Sequence, residues 1–223
     1  MNRNLKLKIS LILLLMSWLT PLIVFAESGQ IGQANYLSPL EKEVVQEVNL
    51  ARTSPKSYAS FLEQLKTYYK GKILNLPGET PVLTQEGVVA VTEAIGFLRS
   101  LNPISPLDPS KGMSLGAKDH VRDLKWSGNS QHRGSDKSQP WERVNRYGTW
   151  QKGIGENIAF GNDKARNIVM ALIIDDGVPH RGHRKNIFNS NFRVMGVACG
   201  EHPHYQTVCV ITFAGGYIER EKR

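Results

Sequence analysis

Residues 154–177 read IGENIAFGNDKARNIVMALIIDDG, and the periodicity changes halfway along. Ile154–Phe160 is a short apolar run interrupted only by polar residues near its start, and it reads as a strand. Asp163–Ile174 places Ala165, Ile168, Val169, Leu172 and Ile173 at helical spacing, and Asp175-Asp176-Gly177 stops that helix. A strand feeding an amphipathic helix sets a mixed α/β fold.

Upstream, the pattern is mostly helical. Ser38-Pro39-Leu40-Glu41 combines an N-cap, a proline at the first helical position and a capping-box acid. Leu40, Val44, Val45, Val48 and Ala51 follow on one face, until Thr53-Ser54-Pro55 ends that helix and opens another carrying Tyr58, Phe61, Leu62 and Leu65. Lys70–Pro81 reads as a polar connection, Gln85–Ser100 as a third helix, and the proline-rich Asn102–Pro109 as extended chain. Ser110 caps a fourth helix reaching Leu124. Ser127–Lys152 lacks periodicity apart from a short helical piece over Pro140–Tyr147, and a stretch that long is usually functional.

Downstream, Arg193–Gly200 and Gln206–Gly215 read as two strands of a hairpin centred near His204. That register sets Cys199 opposite Cys209, the close approach a disulfide needs. His202 and His204 fall in the turn, where exposure to solvent is expected. The elements assemble as a single α/β domain, with helices packed on a small antiparallel sheet.

The chain has 223 residues and a formal net charge of +8. Arg3, Lys6 and Lys8 precede an apolar run from Ile9 to Phe25, and small residues at Val24 and Ala26 mark a signal-peptidase site. Residues 1–26 are therefore read as a signal peptide, 27–37 as a leader, 38–218 as the domain and 219–223 as a charged tail. Removing the signal takes away three bases and no acid, so the net charge falls to +5. The remaining positive charge is dispersed, which argues against a nucleic-acid partner. No stable membrane span is expected after signal removal, and the protein is expected in the periplasm or outside the cell. An exported chain with two cysteines fits an internal disulfide.

Chemistry points to a few residues. Glu156 is a carboxylate inside an otherwise apolar strand, and if buried it needs partners or a proton. Asp175 and Asp176 sit at a helix C-terminus, against the dipole. His132 lies in the long irregular segment, and His183 follows Arg181-Gly182. Two imidazoles with one or two carboxylates could hold a divalent ion such as zinc or perform acid–base work. Their separation is too long for a sequential metal motif, and HExxH, CxxC, GxSxG, Walker and dinucleotide motifs are all missing.

Asn49-Leu50-Ala51-Arg52, Gly116–Asp123, His132-Arg133-Gly134-Ser135-Asp136, Arg143–Gly148, Gly155-Glu156-Asn157-Ile158, Gly182–Phe188 and Met195–Ala198 occur in this order. The ordered set resembles the bacterial branch of the CAP superfamily: cysteine-rich secretory, antigen 5 and pathogenesis-related proteins, also called SCP-like. The resemblance covers about residues 40–217. It implies an α-β-α sandwich whose cleft is lined by His132, His183, Glu156 and a second acid, with Asp176 preferred over Asp175. These four are the candidate catalytic residues and, with either aspartate, the candidate ligands of a divalent metal, zinc foremost. His120 is read as structural.

The functional expectation is a secreted binding module for a small hydrophobic or lipid ligand, or a cell-envelope component. The alternative is a metal-assisted, peptidase-like hydrolase using the same cleft. A secreted nuclease is the third reading, drawn only from the basic charge.

Overall fold

The computed structural model describes residues 34–220, so the signal-peptide reading lies outside the described residues. Helix α1 spans Pro39–Thr53 and starts with the capping box: the Ser38 hydroxyl accepts from the Glu41 amide, and the Glu41 carboxylate accepts from the Ser38 amide at 2.6 Å. Helices α2 (Pro55–Lys66), α3 (Val88–Ser100), α4 (Lys111–Ser127), α5 (Pro140–Asn145), α6 (Ala165–Ile174) and α7 (Gly182–Ile187) follow. Ser110 caps α4, and Gly128 ends it in the left-handed conformation.

The main sheet contains β4 (Asp108–Pro109), β5 (Gly148–Phe160), β6 (Val194–His202) and β7 (Gln206–Glu219), in the order β4-β6-β7-β5. β5, β7 and β6 are antiparallel as expected. β4, inside the proline-rich segment, adds a short parallel strand beside β6. Cys199 and Cys209 are paired in register and bonded as a disulfide.

Side-chain alternation divides the core. Cys209, Ile211 and Phe213 of β7 face the layer of α1, α2, α3 and α6, whereas Val208 and Val210 face α4. Ala214 packs with Met113 of α4 and Val144 of α5 on that second side. The result is an α-β-α sandwich. Fully buried side chains such as Leu98, Ile168, Ile173 and Phe213 each contribute about 1.5–3 kcal/mol on leaving water.

Two short motifs fix how neighbouring segments pack. Asn49 pairs with the backbone of Leu107 through both its amide atoms. Arg52 is fully buried and donates to the carbonyls of Ser105, Ile187, Asn189 and Phe192, and burial pushes its guanidinium down to about 10. Gly196 allows α4 to lie directly on β6, since a Cβ there would stand 2.2 Å from the Met113 carbonyl carbon.

Three boundaries differ from the sequence reading. β5 begins at Gly148 rather than Ile154, because a register shift near Lys152 and Gly153, both with positive φ, hides the continuation. β7 runs on to Glu219, whose carboxylate accepts from Ser110 and the Gly112 amide at the start of α4. The connection after α2 contains two strands of a small sheet, β1 (Tyr69–Lys70) and β2 (Ile73–Leu74), and β3 (Val82–Leu83) completes it just beyond.

Candidate functional site

β5 is an edge strand, and its two successive polar residues serve opposite faces. The Glu156 carboxylate is buried. It accepts from Arg143 Nη2 at 2.8 Å and from His132 Nδ1 at 2.9 Å. Arg143, itself buried on α5, also donates to the carbonyls of Ser138 and His132. One guanidinium therefore neutralises the acid and fixes the segment that carries its histidine.

That segment has almost no secondary structure and is held by polar bonds instead. The His120 ring donates from Nε2 to the Gln131 carbonyl at 2.9 Å, because a carbonyl can only accept. Its Nδ1 is buried without a hydrogen-bond partner among the described residues, the Asp123 carboxylate standing 3.9 Å away, and burial pushes its pKa down. Asp123 accepts from the amide and hydroxyl of Ser135. Asp136 accepts from the Ser138 amide, and Ser138 and Arg146 hold its carboxyl well below the usual range. His202 was expected in solvent but is buried, bonded through Nε2 to the Asn129 carbonyl and set against Phe160 and Tyr205. Its ring anchors the start of the same segment, a role that a turn position does not advertise.

The second pair forms where α6 turns into α7. Asp175 adopts the left-handed conformation (φ 57°) at the end of α6. Its carboxylate accepts from His183 Nδ1 at 2.6 Å and from the amides of His183 and Arg184 at 2.9 and 3.4 Å. The acid that opposed one helix dipole thus serves the first amides of the next helix. The carbonyl end of α6 is met by cations: Arg184 donates to Ile173 and Ile174, and Arg181 to the Asp175 carbonyl. Arg181 also pairs with Glu86 and Glu93, and its hydrogen bonds lower the Glu86 carboxyl to about 2.

Asp176, the preferred second acid, does not join His183. Its carboxylate accepts from the amides of Gln85 and Glu86, just before α3, at 2.6 and 2.8 Å. The left-handed turn at Asp175 sends the two adjacent carboxylates to different partners, and Asp175 is the one paired with an imidazole.

Asn157 is buried on the other face of β5 and donates to the His183 carbonyl at 3.0 Å. Asn186 of α7 bonds to the Asn157 side chain and to the Glu156 carbonyl. These amides attach α7 to β5, so the two carboxylate–imidazole pairs flank one strand. Arg143, Asn157, Asn186 and Arg181 had no assigned role in the sequence. A signal existed only for Arg143, because a buried strand acid calls for a cation.

The expected four-residue cluster is therefore two pairs. Among the described residues, no three His, Cys, Asp or Glu side chains form a group able to hold a metal ion. Both carboxylates are taken up by Nδ1 atoms, which leaves two imidazole Nε2 atoms as donors. Catalytic zinc takes three protein ligands. The donor set does not fit a zinc site built by this chain alone.

A cavity of about 470 Å³ lies beside the second pair. Tyr69, Leu74 and Val82 of the small sheet line it, as do Ile158 and Phe160 of β5 and Met170 of α6, with Asp175 and His183 among its walls. His132 and Glu156 do not line it.

An α-β-α sandwich carrying two carboxylate–imidazole pairs beside an edge strand is the class of domain this structure defines. Residues 92–213, more than half of the chain, match the CAP family, described as the cysteine-rich secretory protein family, and the chain belongs to it. An uncharacterized protein, YkwD, of Bacillus subtilis is 30% identical over 107 residues, which cover 48% of this chain and 40% of that relative. Among solved structures, an outer surface protein of Borrelia burgdorferi aligns at 17% identity over 60% of this chain and 91% of its own, with TM-score 0.44. An extracellular SCP-domain protein of Bacillus anthracis aligns at 18% identity over 57% of this chain and 37% of its own, with TM-score 0.41. The chain thus spans well under half of the length of the curated relative it matches.

Proposed function

We propose that this chain is an exported binding module whose cavity takes a small apolar ligand, with the Asp175–His183 pair bonding the ligand's polar end. The observation carrying this reading is the cavity itself. Its volume falls in the range of small-molecule sites, about 300–1,000 Å³, and its walls are mainly apolar with a few convergent polar groups. Export is supported by the basic, apolar start of the chain and by the disulfide, which persists in oxidising compartments.

The test is titration with a fluorescent fatty-acid analogue. Ala171 lines the cavity yet is exposed, so Ala171→Trp fills the space without disturbing the core. Wild type is expected to bind saturably, and the variant at least about ten-fold more weakly with an unchanged melting temperature. Failure of wild type to saturate overturns the reading.

The hydrolytic alternative draws on a different observation. Each imidazole holds Nδ1–H on a carboxylate and leaves Nε2 without a protein partner among the described residues, the posture of a general base toward water. Ester or peptide turnover that disappears in His183→Ala or His132→Ala would favour it. In this version the imidazoles act without a resident zinc, whose three protein ligands the two pairs do not supply.

A further inference from the structure

The small sheet β1–β3 has two rows of cross-strand neighbours. Tyr69, Leu74 and Val82 form one row, and all three line the cavity. Lys70, Ile73 and Leu83 form the other, on the outer face. There Ile73 is 45% exposed and Leu83 76%. Val89, 66% exposed, stands at the start of α3, whose first amide bonds to the Gly71 carbonyl between β1 and β2. A sheet of two-residue strands that is apolar on both faces has one face too many for a free domain.

The acids beside this face are engaged, Glu86 and Glu93 by Arg181 and Arg184 and Asp176 by the Gln85 and Glu86 amides, whereas the lysines next to β1 and β2 are not. Lys66, Lys70 and Lys72 are exposed, and none is in an ion pair among the described residues. Glu79, the one acid between Lys66 and Thr84, is already paired with Lys164.

We infer that the outer face of β1–β3 docks on an anionic lipid bilayer, with Ile73 and Leu83 entering the interface and Lys66, Lys70 and Lys72 meeting headgroup phosphates. Apolar tips ringed by unpaired lysines match such a surface in polarity and charge. Because the reverse face of the same sheet lines the cavity, docking brings the ligand site against the source of apolar ligands. That last link rests on the binding-module reading; the docking itself does not.

The experiment is flotation of the chain without residues 1–26 on vesicles of phosphatidylcholine alone or mixed with phosphatidylglycerol. Wild type is expected to float only with the anionic vesicles, and less as salt rises. Lys70→Gln with Lys72→Gln should weaken binding about thirty-fold. Ile73→Ser with Leu83→Ser should abolish it, with melting temperatures unchanged because these side chains are exposed. A Leu83→Trp reporter should shift its emission to the blue on anionic vesicles. Ala171→Trp should still float, so loss of cavity binding and loss of docking are separable. Wild type that stays in solution, floats equally on both vesicles, or forms a dimer that depends on Leu83 would overturn the proposal.

Discussion

On one flank of β5, the charge of Glu156 is answered by Arg143, and His132 stands half in solvent with 51% of its side chain exposed. On the other flank, Asp175 is answered by backbone amides of α7, and His183 is only 25% exposed. The same two functional groups are thus held by different means. The first pair depends on a buried counter-ion in the opposite helical layer. The second depends on a backbone turn, and it alone faces the cavity. The contrast is a division of labour, with Glu156 organising the long irregular segment and Asp175 holding an imidazole at the cavity wall.

The sharpest way to break this comparison is Arg143→Met. It strands a buried carboxylate and should cost about 3–5 kcal/mol in urea unfolding. Adding Glu156→Gln in the same chain should recover part of the loss; if the double variant is no better, Glu156 does not depend on Arg143. Asp175→Asn keeps a residue that tolerates the left-handed turn but removes the charge, and should cost about 1.5–3 kcal/mol. Hydrogen exchange should rise at the His183 and Arg184 amides while Gln85 and Glu86 stay protected by Asp176. Equal changes at both places would merge the two aspartates into one network.

Acid provides a smaller lever. His120 titrates below its ordinary value because burial disfavours its charged form. The unfolded chain therefore takes up the proton first as pH falls. The stability His120 contributes is whole above about pH 6.5 and declines below it. His120→Gln retains an amide donor and should flatten that part of the unfolding-midpoint profile. An unchanged slope would assign the acid sensitivity elsewhere. The smallest effect is expected for His132→Ala, under about 1 kcal/mol because the ring is half exposed. A larger loss would mean that the histidine holds its segment in place, reversing the roles given to it and to Arg143.

Much of the framework is legible in the sequence, for local reasons. Ser38 and Glu41 lie within one turn, and Cys199 and Cys209 are symmetric about a hairpin. Glu156 stood out because a carboxylate in an apolar strand needs an explanation. What the sequence does not show depends on distance or on one dihedral angle. Arg143 meets Glu156 from thirteen residues away in another layer. Asp175 and Asp176 are chemically identical neighbours, separated in role by a positive φ that composition does not encode. The strands β1–β3 are two residues each, too short for alternation to register. His202 looked like a turn residue because its partner, the Asn129 carbonyl, belongs to a distant segment.

Gly196 lies on β6, far along the chain from either imidazole, yet it sets how near α4 comes to the sheet. The same helix carries His120 and Asp123, which hold Gln131 and Ser135 on either side of His132. One added methyl at position 196 would lift that helix and carry the His132 side outward, while the His183 side, tied to β5 by amides, stayed put. The spacing between the two imidazoles is thus gauged by a missing side chain, and an inherited change there would detune the protein without touching either of them.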